Sequence, residues 1–144
     1  MTRFATLSAV FALSAASGCI VVDPNPPPPD PVYVNYAPEV TWAESGCYWD
    51  GYYNDYIWYF QADADDQNGV YDVVSMWADV YDEPSGAWID SFELYPTDDP
   101  YVWFSDWLGG STYLSCSPNN YVVDFVAYDS MDAEGVLSVY PILY

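Results

Sequence analysis

Carboxylates crowd three short stretches of this chain: Asp63, Asp65 and Asp66 ahead of Asn68-Gly69, Asp98 and Asp99 ahead of Pro100, and Asp129, Asp132 and Glu134 ahead of Gly135. Acids that meet without a basic partner raise one another's pKa unless a cation neutralises them. Calcium is the cation that such a donor set suits, being hard, oxygen-seeking and tolerant of irregular coordination. The first stretch is not an EF-hand, because its glycine arrives one position late. The alternative for all of these residues is a solvated turn, where aspartate is favoured for the hydrogen bonds it makes to nearby backbone. A second set of residues suits a different chemistry. Tyr48, Trp49, Tyr52 and Tyr53 alternate with Asp50, Gly51 and Asn54. Rings flanked by carboxylates and amides stack on the apolar faces of sugars and hydrogen-bond their hydroxyls, so polysaccharide is the ligand class they would take. With seven tryptophans and sixteen tyrosines, the chain carries more rings than a core of this size hides. The alternative is that these four simply cover an open end or an edge of the fold.

What is missing narrows the choice further. Against 22 acidic residues stands one base, Arg3, and there is no histidine, for a formal charge of −21. Arg3 lies in a segment that reads as a removed signal, so Ser-His-Asp and Cys-His catalysis, Schiff-base lysines and arginine clamps on phosphate all lack their essential group in the mature chain. Nucleic acid is excluded as a partner on the same ground, since nothing is present to displace its counterions. A carboxylate-type glycoside hydrolase needs only two acids and is the one enzymatic alternative. No acid stands out in the sequence as the desolvated member of such a pair, so the reading is non-enzymatic.

The elements that must position these residues are strands. From residue 39 onward no helical stripe is visible. Short runs rich in Val, Tyr, Trp, Phe and Ile are separated by Asn68-Gly69, Pro84-Ser85-Gly86, Asp98-Asp99-Pro100, Pro118-Asn119-Asn120 and Glu134-Gly135, which is the pattern of an all-β sandwich. Seven antiparallel strands are expected over 39–43, 56–62, 70–81, 87–94, 101–104 with an uneven continuation to 116, 121–128, and 136–140. Alternation places Trp58, Phe60 and Ala62, then Val74, Met76, Ala78 and Val80, then Tyr121, Val123, Phe125 and Ala127 on the core side. If successive connections alternate between the two ends, the three acidic stretches gather at one end. Cys47, in the first connection, and Cys116 fall at the other. Residues 106–110 could instead form a hairpin tip, which would separate the cysteines.

Two resemblances add to this reading. Met1 to Cys19 runs from a single positive charge through the apolar stretch Phe4 to Ala16 into Ala16-Ser17-Gly18-Cys19. The apolar run is too short to span a bilayer and has the length of a signal-peptide core. Its ending resembles the lipobox of bacterial lipoproteins, whose cysteine receives a diacylglyceryl group and becomes the mature N-terminus. The resemblance implies a signal over 1–18, lipidation of Cys19 and attachment to a membrane. With Ile20 rather than aspartate after the cysteine, it implies the bacterial outer membrane or cell surface. An ordinary secretory signal with a coincidental cysteine is the alternative. If Cys19 carries lipid, Cys47 and Cys116 are left as one disulfide in an oxidising compartment. The stretch 19–37, with Asp23-Pro24-Asn25-Pro26-Pro27-Pro28-Pro29-Asp30-Pro31, cannot form helix or central sheet and reads as a stiff spacer, leaving 38–144 as the domain. The second resemblance is at the C-terminal end. Tyr121-x-Val123-x-Phe125-x-Ala127-x-Asp129, followed by Gly135 and Ser138, resembles the last hairpin of fibronectin type III and related immunoglobulin-like sandwiches. It implies that the Tyr121 hydroxyl bonds back to the chain before the sixth strand. The functional expectation is a lipid-anchored, exported, non-catalytic module that binds a polysaccharide or an envelope protein, or that is purely structural, with calcium as its one candidate cofactor.

Overall fold

The computed structural model describes residues 30–117 and 120–144. The expected signal, Cys19 and most of the proline tract lie outside the described residues, as do Pro118 and Asn119. Residues Tyr33–Tyr144 form one compact unit, so the unit takes in residues just upstream of 38.

Eight strands build it: β1 (Glu39–Asp50), β2 (Asp55–Asp65), β3 (Val73–Asp82), β4 (Ala87–Pro96), β5 (Val102–Leu108), β6 (Tyr121–Asp129), β7 (Glu134–Val139) and β8 (Ile142–Leu143). They form a single sheet in the order β7-β6-β3-β4-β5-β2-β1-β8. The sheet folds over on itself at β4. Its residues from Ala87 to Leu94 pair with β3, whereas Tyr95 and Pro96 pair with Phe104 and Trp103 of β5. Two layers result, β5-β2-β1-β8 and β7-β6-β3-β4, and the apolar face of each is buried against the other. Trp58, Phe60, Ala62 and Ala64 of β2 face Met76, Ala78 and Val80 of β3 and Val123, Phe125 and Ala127 of β6. Phe60 ties the layers together, its ring 4.6 Å from that of Phe92 on β4 and 6.5 Å from that of Phe125 on β6. This is the all-β, sandwich-like architecture that alternation predicts.

Four details differ from the sequence expectation. There are eight strands rather than seven. Pro141 has no N–H to continue the ladder with β6, and the chain steps to the free edge of β1, where β8 pairs parallel through Gly46–Ile142 and Cys47–Leu143. The first strand runs on to Asp50, so Cys47 lies inside β1, fully buried, and not in a connection. The β3 register shifts between Val73 and Ser75, which buries Val73 and turns Val74 outward. The fifth strand ends at Leu108 in a short 3-10 turn, Gly109–Ser111, so 106–110 is not a hairpin tip. The cysteines therefore stay at one end. Cys47 and Cys116 stand at disulfide distance, with Cα atoms 5.8 Å apart. Nearby, the Tyr121 hydroxyl accepts a hydrogen bond from the Ser115 backbone N–H at 3.3 Å, as the C-terminal resemblance implies.

Candidate metal centre

At the opposite end from the cysteines, the β2–β3 connection and the β6–β7 turn converge. Asp66 follows the last residue of β2. Its Oδ1 accepts the backbone N–H of Asn68 at 2.6 Å, and its carbonyl accepts that of Gly69 at 2.9 Å. Gly69 has φ 122°, a conformation open to glycine and strained for other residues. It lets the chain reverse into a 3-10 turn, Val70–Asp72, that delivers Asp72 back towards Asp66. On the other side Asp129 ends β6. Its Oδ1 accepts the N–H groups of Met131 and Ala133, each at 2.8 Å, and so shapes the turn into β7.

Ligand oxygens of Asp66, Asp72 and Asp129 all lie within 4.8 Å of one another. Oxygens held roughly 2.3–2.6 Å from one calcium ion are at most about 5 Å apart, so the three carboxylates are close enough to share an ion after small adjustment. Asp129 is wholly buried, Asp66 is 5% exposed and Asp72 is partly buried. Asp66 Oδ2 and Asp72 Oδ2 are buried and have no hydrogen-bond partner among the described residues. Asn35, upstream of β1, completes the cluster. Its Nδ2 donates to Asp129 Oδ2 at 2.5 Å, while its own Oδ1 is buried and unpartnered. Ser130 Oγ donates to Asp72 Oδ1.

The electrostatics favour a cation. Burial pushes the Asp129 carboxyl up, but hydrogen bonds from Asn35, Ala133 and Met131 outweigh it and leave the group below the usual aspartate range. Asp129 is thus held as an anion beside two further acids, and the chain's single base, Arg3, lies outside the described residues. Tyr33 feels the same field: burial, then Asp72, Asp66 and Asp129, raise its phenol above the ordinary tyrosine value. Unpartnered buried carboxylate oxygens are costly, and a divalent ion satisfies them together. The donor set is all oxygen, which fits calcium and leaves no soft ligand for zinc or copper.

Of the acids singled out in the sequence, the structure brings Asp66 and Asp129 together and leaves the others apart. Asp63 lies in the β2 ladder opposite Trp42 and Val102. Asp65 is exposed, its Oδ1 accepting the Asp66 N–H. Asp98 and Asp99 are exposed in the β4–β5 turn, where Asp99 accepts the Tyr101 N–H at 3.1 Å. Asp132 is exposed at φ 62°, and Glu134 is exposed opposite Tyr128. Asp98, Asp99 and Asp132 thus hold the solvated turn positions that the alternative reading describes, whereas Asp63 and Glu134 lie in strands. Asp72 and Asn35 were not foreseen. Asp72 falls in a segment read as strand, and Asn35 in one read as spacer. The signal that could have found Asp72 is an acid following Asn-Gly by three residues in an already acidic loop.

The four rings lie at the β1–β2 tip, where Asp50 Oδ1 accepts the N–H groups of Tyr52 and Tyr53. All four are exposed, Tyr52 most of all at 88%. Trp49 packs edge-on against Tyr56, and Tyr52 against Tyr53. Tyr53 also borders a shallow cleft with Ile57, Asp106, Trp107 and Leu108.

Fold and site together define a sandwich-like all-β domain with a buried acidic cluster between two loops at one end. No family model, curated protein or solved structure matches the chain.

Proposed function

We propose that this protein is an exported, non-catalytic surface module, held at the bacterial outer membrane or cell surface by lipid on Cys19, whose domain is set in its working form by calcium. The observation that carries the reading is the Asp66–Asp72–Asp129 cluster, with its buried, unpartnered oxygens and no basic residue among the described residues to neutralise it. The Cys47–Cys116 pair, read as a disulfide, suits the same oxidising exterior. Calcium is abundant there, and a mature chain beginning at Cys19, which holds no lysine, arginine or histidine, has no basic side chain to balance such a cluster. A polysaccharide is the second ligand, favoured by the exposure of Tyr48, Trp49, Tyr52 and Tyr53 at the far end of the domain.

The test is thermal unfolding of the purified chain in EDTA and in added calcium. At a free calcium concentration about a hundred times Kd, linkage contributes ~2.7 kcal/mol, which raises Tm by on the order of 10 °C for a domain of this size. Equal melting temperatures in the two solutions would remove calcium from the proposal. The sugar reading is checked separately, by retention on immobilised polysaccharides and its loss in Trp49→Ala.

A further inference from the structure

We infer that the same ion fastens the segment upstream of β1 to the domain: Asn35 Oδ1 joins the three aspartates as a ligand, so that calcium binding and docking of residues 33–38 are one equilibrium. This rests on the calcium reading of the Asp66–Asp72–Asp129 cluster and adds to it a ligand and a mechanical consequence.

The segment is not part of any strand, yet it is held at three points. Asn35 reaches the cluster, donating to Asp129 while its Oδ1 stays buried without a partner. Asn68, in the loop between Asp66 and Asp72, clasps the segment on both sides of Asn35: the Tyr36 N–H donates to Asn68 Oδ1 at 2.8 Å, and Asn68 Nδ2 donates to the Val34 carbonyl at 2.9 Å. A Cβ placed on Gly135 would overlap the Pro38 carbonyl, so the start of β7 carries glycine where the segment passes. The segment therefore lies across the two loops that supply the aspartates.

These contacts are weak without an ion. The two Asn68 bonds are exposed and compete with water, and a single amide faces three carboxylates. Ordering the backbone of a segment this long opposes docking. An ion that takes oxygens from Asp66, Asp72, Asp129 and Asn35 ties the segment directly to both loops and relieves the repulsion among the acids. With calcium, residues 33–38 stay fixed across the two loops. Without it they are released from them.

Limited chymotrypsin digestion of the full chain reads the docking, because Tyr33 and Tyr36 have exposed side chains, 63% and 45%, but a docked backbone cannot enter a protease cleft. A small chromogenic chymotrypsin substrate, assayed in the same solutions, is the reference for protease activity, and calorimetry measures calcium binding in the same samples. The expected result is that calcium slows cleavage after Tyr33 and Tyr36, relative to that substrate, at least tenfold. Asn35→Ala should still bind calcium through the aspartates, more weakly, but lose most of that protection. If calcium binds and the relative cleavage rate is the same with and without it, or if Asn35→Ala is protected as fully as the wild type, the coupling is overturned while the calcium site stands. If calorimetry detects no calcium binding, both fall together.

Discussion

At the residue scale, position decides what a carboxylate does. Asp99 and Asp129 both shape a turn by accepting backbone N–H groups of residues that follow them. Asp99 does so in water, whereas Asp129 does so among buried acids. The acids of the cluster are therefore expected to have opposite effects with and without metal. Replacing Asp72 by Asn removes one anionic ligand and should weaken calcium binding on the order of tenfold or more, since even outer-shell changes around metals have effects of that size. In EDTA the same change relieves repulsion, so its Tm should rise above that of the wild type. Titration calorimetry and melting in the two solutions check both halves. A second residue-scale prediction concerns Tyr59, whose hydroxyl donates to Glu44 Oε1 at 2.7 Å. Burial, the Glu44 hydrogen bond and its charge raise the phenol above its ordinary value. Because the folded pKa is raised, the stabilisation is complete below the ordinary tyrosine pKa and is lost as pH climbs towards the folded value. Tyr59→Phe should lose about 1 kcal/mol at neutral pH and show a shallower decline in stability above about pH 10. Denaturant unfolding across that range reads the slope.

At the element scale, β1 joins the two ends of the domain. It pairs along its length with β2, from Glu39–Asp65 near the acidic cluster to Asp50–Asp55 at the aromatic tip, and its other edge receives β8. Gly46 makes that edge possible. A Cβ there would sit 2.6 Å from the Ile142 carbonyl and 2.7 Å from the Tyr59 hydroxyl, so only the bare backbone lets the Tyr59 ring cross β1 while β8 pairs beside it. Gly46→Ala must displace one of them and is expected to destabilise by roughly 1–3 kcal/mol, the usual effect of overpacking. Hydrogen exchange at the Tyr144 amide, which bonds to the Cys47 carbonyl at 3.0 Å, reports whether β8 is the element released. The strands themselves were readable because alternation in β2, β3 and β6 is regular through their cores. The irregularities were not. The shift that exposes Val74, the extension of β1 past Ala43 and the added β8 all depend on which neighbour offers an edge, and that is decided by pairing between distant segments.

At the scale of the whole molecule, charge and cross-link act on the unfolded chain as well as the folded one. A formal charge of −21 opposes compaction, and screening weakens that repulsion. Moderate sodium chloride should therefore raise Tm even in EDTA, and a melting point that does not move between low and moderate salt would contradict this. The Cys47–Cys116 pair closes a loop of 69 residues. As a disulfide it restrains the unfolded chain by about 4 kcal/mol in the chain-entropy account. Reduction should lower the denaturant midpoint accordingly, with near-UV circular dichroism following the change. The cysteine pair and the proposed calcium site lie at opposite ends of the domain, so reduction and chelation are expected to destabilise nearly additively.

The sequence alone determined the all-β class, the burial of Phe60 and Phe125 and the gathering of acidic turns at one end, because period-two alternation and turn residues act locally, whereas the 3-10 turn at Gly109–Ser111, and not local pattern, decided that Cys47 and Cys116 share the other end. Which acids meet was decided only by tertiary structure. Asp66 and Asp129 share a site with Asp72 and Asn35, while Asp98, Asp99, Asp132 and Glu134 face outward, because the aim of a side chain at a loop depends on the left-handed turn at Gly69, the bonds inside the β6–β7 turn and the passage of Asn35 across both. Those are contacts between residues up to 94 positions apart, and local pattern carries no information about them.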